Sequence, residues 1–100
     1  PHVMRFNLLA DRGKYARIAA LLGEEVPERI SPVTAGERAI AAVEKLNRDL
    51  AIPRSLREVG ASEDAIDQMA EDAMKSGNIL VNPRKTTLED IKQLYRQAFH

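Results

Sequence analysis

Apolar residues recur every three or four positions along most of this chain, the spacing of one face of an α-helix. Tyr15, Ile18, Ala19 and Leu22 form one stripe, and Ile40, Val43, Leu46 and Leu50 form a second with slight drift. Ile66, Met69, Ala70 and Ala73 form a third, and Leu88, Ile91, Leu94, Tyr95 and Ala98 a fourth that runs almost to the last residue. The stretch 2–10 reads as a further helix, broken near residues 11–13. Alternation at period two, the mark of a half-buried strand, is missing except locally at 78–82. There Ile79, Leu80 and Val81 are strand-like, and the segment reads as an extended loop. The pattern predicts an all-α helical bundle.

Breakers and caps fall between the stripes. Gly23 follows Leu22 where a C-cap glycine belongs, and 24–35, with Pro27, Pro32 and the adjacent Gly36, reads as the longest connection. A helix over 36–50 then stops before Pro53, whose ring and missing N–H cannot continue it. Gly60 ends a short turn around Leu56. Ser62 is an N-cap with Glu63 and Asp64 in the first turn, where the helix dipole favours negative charge. Thr87 caps the last helix, and Asp90 three residues on makes a Thr-x-x-Asp capping box.

One hundred residues give about one domain with one modest core. Fifteen Lys plus Arg balance fifteen Asp plus Glu, so no whole-molecule field draws the chain to nucleic acid or to an anionic membrane. The absence of Cys excludes a disulfide framework and thiolate zinc sites. No apolar run approaches the roughly 18 residues that span a bilayer, and no signal-peptide pattern opens the chain. A soluble, cytoplasmic protein is expected. Pro1 in place of an initiator Met fits either a trimmed start or a piece of a longer protein.

Candidate chemistry within the chain is sparse. The two histidines, His2 and His100, stand at opposite ends and read as solvated termini, and no His or Cys pair has ligand spacing. Asp64, Asp67 and Glu71 read as the wet face opposite Ile66, Met69 and Ala73. Ser31, Ser55, Ser62 and Ser76 sit at caps or turns with no internal His to activate them. The five glycines are scattered singly rather than clustered into a phosphate cradle. "RSLREVGASEDAIDQM" has helix-turn-helix spacing, with Leu56, Gly60, Ile66 and Met69 at the core and turn positions. Its second helix carries Glu63, Asp64, Asp67, Glu71 and Asp72 against Lys75, a balance opposed to phosphate binding. The basic residues Arg5, Arg12, Lys14 and Arg17 read as a solvated helix face. No catalytic, cofactor-binding or metal-ligating residue is assigned within the chain.

Four segments together carry a resemblance. "PHVMRFN", "KYARIAALLG", "LNRDLAIPRSLREVGASEDAI" and "NPRKTTLEDIKQLYRQAF" stand in the order and spacing of the C-terminal end of iron-containing (group III) alcohol dehydrogenases. The resemblance covers essentially all 100 residues. It implies the C-terminal portion of the helical domain of the dehydroquinate-synthase-like and iron-containing alcohol dehydrogenase fold, with residues 1–100 as a single helical domain. It further implies an N-terminal domain for NAD(P), a divalent metal, iron or another, in the cleft between domains, and hydride transfer between an alcohol and its aldehyde or ketone. The metal polarises the substrate oxygen. In the family one Asp and three His bind it, all upstream of the matched region, the last in a Pro-His-Gly motif. Pro1-His2-Val3 is not that motif, because "VMRFN" follows directly, so no metal role passes to His2. The implied partners are the chain's own N-terminal domain and a small alcohol or aldehyde, with homo-oligomerisation left open; charge and hydropathy point to no nucleic acid and no membrane.

The resemblance also bears on "GNILVNPRKTTLEDIKQLY", residues 77–95. In the family the loop before Asn-Pro-Arg approaches the cleft, often as Cys-Thr-x-x-Asn-Pro-Arg. Asn82, Pro83 and Arg84 match its last three positions, and Asn78 stands where the Cys usually is. Asn78, Ile79, Leu80 and Val81 are therefore the candidate substrate-pocket residues. The competing reading is that Ile79, Leu80 and Val81 plug the core while Pro83 turns the chain. For the molecule as a whole, the alternative is a free-standing helical interaction module without catalysis.

Overall fold

The computed structural model describes residues 1–100, apart from the side chain of Arg12, which leaves that member of the basic face outside the described residues. Every regular element among the described residues is helical. In chain order these are α1 (His2–Leu8), α2 (Arg12–Leu21), α3 (Pro32–Asp49), α4 (Ile66–Met74), the single turn α5 (Gly77–Leu80) and α6 (Leu88–Phe99). Short 3₁₀ turns occupy Arg57–Val59 and Glu63–Ala65. The chain divides into two compact units, Val3–Ile52 and Pro53–His100.

In the first unit α2 packs along α3. The buried side of α3 is made of small residues, Ala35, Gly36 and Ala39 beside Ile40, rather than of the leucines lower in the predicted stripe. Leu46 and Leu50 are 48% and 63% exposed. Leu8 of α1 fills the space that small face leaves, so close that a Cβ on Gly36 would lie 2.2 Å from its Cδ1. Tyr15, Ala19, Ala39 and Ile40 complete this core with Leu8, and Met4, Ile18 and Val26 pack against it. Asn7 is the buried polar side chain here. It hydrogen-bonds Tyr15, whose phenol is nevertheless pushed up because burial disfavours its charged form.

The helix limits follow their caps. Asp11 accepts from the Lys14 amide at 3.2 Å to start α2, and α2 ends at Gly23, which takes the left-handed conformation at φ 88°. The Glu24 amide reaches back to the Ala19 carbonyl there at 3.0 Å. The third helix begins four residues earlier than its sequence pattern suggested. Ser31 accepts from the Thr34 amide at 3.0 Å and Pro32 occupies the first turn, where its missing N–H has no helical partner to lose and its fixed φ suits the helix. Ala51, beyond the end of α3, is the non-glycine residue at positive φ (55°).

In the second unit α4 packs on α6, burying Ile66, Ala70, Ile91 and Phe99. Lys92 of α6 reaches Asp67 of α4 at 2.8 Å. Ser62 does cap, but the chain it opens runs through the 3₁₀ turn before becoming α-helical at Ile66. The Thr87–Asp90 capping box is complete: the Asp90 amide donates to Thr87 Oγ1 at 3.2 Å, and the Thr87 amide donates to Asp90 Oδ2 at 2.9 Å. The Leu56 amide donates to the Ala98 carbonyl at 2.8 Å, tying the turn before Gly60 to the end of α6. No helix of the described residues is long and apolar enough to cross a membrane.

Candidate functional site

The segment 77–87 joins α5 to the capped start of α6. Residues 78–82 are not extended: Ser76 accepts from the Asn78 amide at 3.3 Å and sets one helical turn over Gly77–Leu80. A serine cap followed by glycine fixes the first amides locally, and that outweighs the strand preference of Ile79 and Val81. Within this chain Leu80 and Val81 do not plug a core. Leu80 is 89% and Val81 79% exposed, Asn78 is exposed, and of the run only Ile79 is half-buried. The four predicted residues thus share one turn and its end, with two large aliphatic side chains open.

Beyond that turn the chain closes on itself. The Asn82 amide donates to the Ile79 carbonyl at 3.4 Å. The Asn82 carboxamide nitrogen donates to the Arg84 carbonyl at 2.8 Å and to Thr86 Oγ1 at 3.1 Å, and the Thr86 hydroxyl donates to the same Arg84 carbonyl at 2.8 Å. Sequence reading placed Asn82 in a motif but gave no sign of this network, because a carboxamide's partners are set by the backbone corner that Pro83 makes.

A separate depression of about 530 Å³ lies beside the α4 and α6 termini, lined by Glu63, Asp64, Ile66, Asp67, Arg96 and His100. Glu63, Asp67 and Arg96 pair with charges outside its lining. Glu63 takes Arg57 at 2.7 Å and lies 3.8 Å from His100, and Arg96 takes Glu89 at 3.1 Å. The hydrogen bond and charge of Lys92 hold the Asp67 carboxyl below the usual range. His100 and the acids of α4 are exposed, as the pattern suggested, whereas His2 is half-buried rather than solvated. Among the described residues no group of three or more His, Cys, Asp or Glu side chains is arranged to hold a metal ion.

A family model described as "Fe-containing alcohol dehydrogenase family, C-terminal" matches residues 1–99. The chain belongs to that family. Among curated relatives, it is 46% identical over 99 residues to the 1,3-propanediol dehydrogenase of Klebsiella pneumoniae, a match covering 99% of this chain and 25% of that protein. It is 41% identical over 98 residues to the NAD-dependent methanol dehydrogenase of Bacillus methanolicus, covering 98% of this chain and 26% of the relative. Among solved structures, a 1,3-propanediol oxidoreductase matches with a TM-score of 0.94 at 45% identity, over 99% of this chain and 26% of that one. The chain therefore spans about a quarter of the length of the Fe-containing alcohol dehydrogenases it matches. Iron belongs to the family by name, and among the described residues no group of donors is gathered to hold it.

Proposed function

We propose that residues 1–100 are the C-terminal helical portion of a longer oxidoreductase that interconverts a small alcohol with its aldehyde or ketone, using NAD(P) and iron or another divalent metal. The observation that carries this is the unbroken match over residues 1–99 to a family of such enzymes. The relatives named above oxidise or reduce short alcohols by name. On this reading the nucleotide-binding domain and the metal donors lie in the remainder of the protein, and no step of the chemistry falls to a side chain of this portion.

What this portion contributes is shape. The exposed Leu80 and Val81 offer aliphatic surface to the carbon chain of the substrate and exclude water there, with Asn78 alongside where relatives often place a thiol. The test is the native gene product. Its intact mass should be about four times the 11.1 kDa of this chain. The purified protein should reduce NAD(P)⁺ with methanol or 1,3-propanediol. A native product of 11.1 kDa without turnover would instead support the free-standing helical module.

A further inference from the structure

We infer that Asn82 is a positioning residue, holding the one-turn helix α5 at a fixed angle to α6 so that Leu80 and Val81 present a set surface to substrate. This rests on the pocket reading proposed above. Two kinds of bond meet at the one residue. Through its main chain Asn82 closes α5, donating to the Ile79 carbonyl at 3.4 Å. Through its side chain it closes the corner ahead of α6, donating to the Arg84 carbonyl at 2.8 Å and to Thr86 Oγ1 at 3.1 Å. Thr86 returns a bond to the Arg84 carbonyl at 2.8 Å, which makes a closed triangle, and Thr87 next to it is anchored by the capping box. The polar atoms of this network are partly buried, so each bond competes with less water than an exposed turn would face.

On its other side α5 is held by Ser76, whose amide donates to the Ala73 carbonyl of α4 at 3.0 Å and whose carbonyl accepts from the Ile79 amide at 3.1 Å. One turn of helix is too short to be stable alone. Its Leu80 and Val81 are open, leaving the half-buried Ile79 as the apolar anchor of the run. The stance of the turn is therefore set from both ends, at Ser76 on the α4 side and at residue 82 on the α6 side. Neither Arg84 nor Thr86 need touch substrate for this to hold, and Asn82 acts only through Leu80 and Val81.

In the full-length protein, Asn82→Asp keeps size and shape but replaces two donors with acceptors facing oxygen atoms. It should lower kcat/KM for the alcohol about tenfold, through KM, and leave the KM for NAD(P)⁺ unchanged. Thr86→Val removes the hydroxyl and should move the same parameter in the same direction, Thr86→Ser should restore it, and Asn82→Asp combined with Thr86→Val should fall short of the product of the single effects. The ratio of kcat/KM for a long over a short alcohol should shift in both variants. Asn82→Asp with a lowered melting temperature but unchanged alcohol KM and chain-length ratio would overturn the inference while leaving the proposed function standing. A wild-type protein with no dehydrogenase activity would overturn both.

Discussion

Replacing Gly36 by alanine puts a methyl group into the contact between α1 and α3, and the structure sets the size of the effect. The new Cβ would lie 2.2 Å from Leu8 Cδ1, 3.0 Å from Cδ2 and 3.1 Å from Cγ. Carbon atoms rest at about 3.5–4.0 Å, so the closest contact is more than an ångström too short. Leu8 has little room to turn away, being 2% exposed and packed among Tyr15, Ala19, Ala39 and Ile40. Overpacking of this kind costs about 1–3 kcal/mol. Alanine recovers about 1 kcal/mol relative to glycine inside a helix. Gly36→Ala should therefore destabilise the chain by about 0–2 kcal/mol, less than its steric penalty alone. A double-mutant cycle with Leu8→Ala separates the two effects. Leu8→Ala by itself should cost about 2–5 kcal/mol through the cavity it leaves. In that background the Leu8 Cγ and Cδ atoms that meet the new Cβ are gone, and Gly36→Ala should stabilise by up to about 1 kcal/mol, a reversal of sign. Urea melts of the four proteins give the coupling directly. Equal effects of Gly36→Ala in the two backgrounds, within about 0.5 kcal/mol, would refute the contact.

Leu80→Ala, with the side chain 89% exposed, should change stability by no more than about 0.5 kcal/mol in a denaturant melt. If the proposed dehydrogenase activity holds for the full-length protein, the same substitution should change discrimination between long and short alcohols by about 1–3 kcal/mol, read from kcat/KM. Ala51→Gly relieves the positive φ of 55° and should raise stability by up to about 1 kcal/mol, while Gly23→Ala at φ 88° should lower it by a similar amount in the same melts. Thr87→Ala removes the cap of α6 and should cost about 0.5–2 kcal/mol by urea melt. Asp90 is held below the usual carboxylate range, first by the Thr87 amide and then by the Thr87 hydroxyl. Because its folded value is the lower one, its stabilisation is present above about pH 4 and is lost as pH falls through the folded value. Melts taken from about pH 5 downward should show that loss in the wild type and a shallower one in Asp90→Asn.

The helical class, the caps at Ser62 and Thr87 and the glycine end of α2 were legible because each is written in residues close along the chain. The start of α3 was misplaced because Pro32 reads equally as a connection and as a first-turn residue, and only the Ser31–Thr34 bond separates the two. The buried face of α3 was illegible for another reason. Hydrophobic spacing points to Leu46 and Leu50, but close helix approach selects Ala35, Gly36 and Ala39 for their lack of bulk, a property that apolar periodicity does not weigh. At the candidate site, the apolar run 79–81 was visible but its conformation was not. β-branched residues argued for extension, whereas the Ser76 hydroxyl, reaching only to Asn78, decided for a turn. The Asn82 network depends on a corner in space and left no trace in spacing.

The starts of these helices have a kinetic consequence. Asp11, Ser31, Ser62, Ser76 and Thr87 each bind an amide only two or three residues ahead, so the boundary information is available before any distant contact forms. Helix–coil relaxation takes about 0.1–1 μs in peptides of about 20 residues, and closing a ten-residue loop takes about 10–100 ns. In the unit Val3–Ile52 the contact of Leu8 with the small face of α3 is of the other kind, joining residues far apart along the chain, whereas the caps are local. Substitutions at the caps should remove bonds that local sequence alone can form, whereas substitutions at Leu8 or Gly36 act on a contact that exists only once α1 and α3 have met.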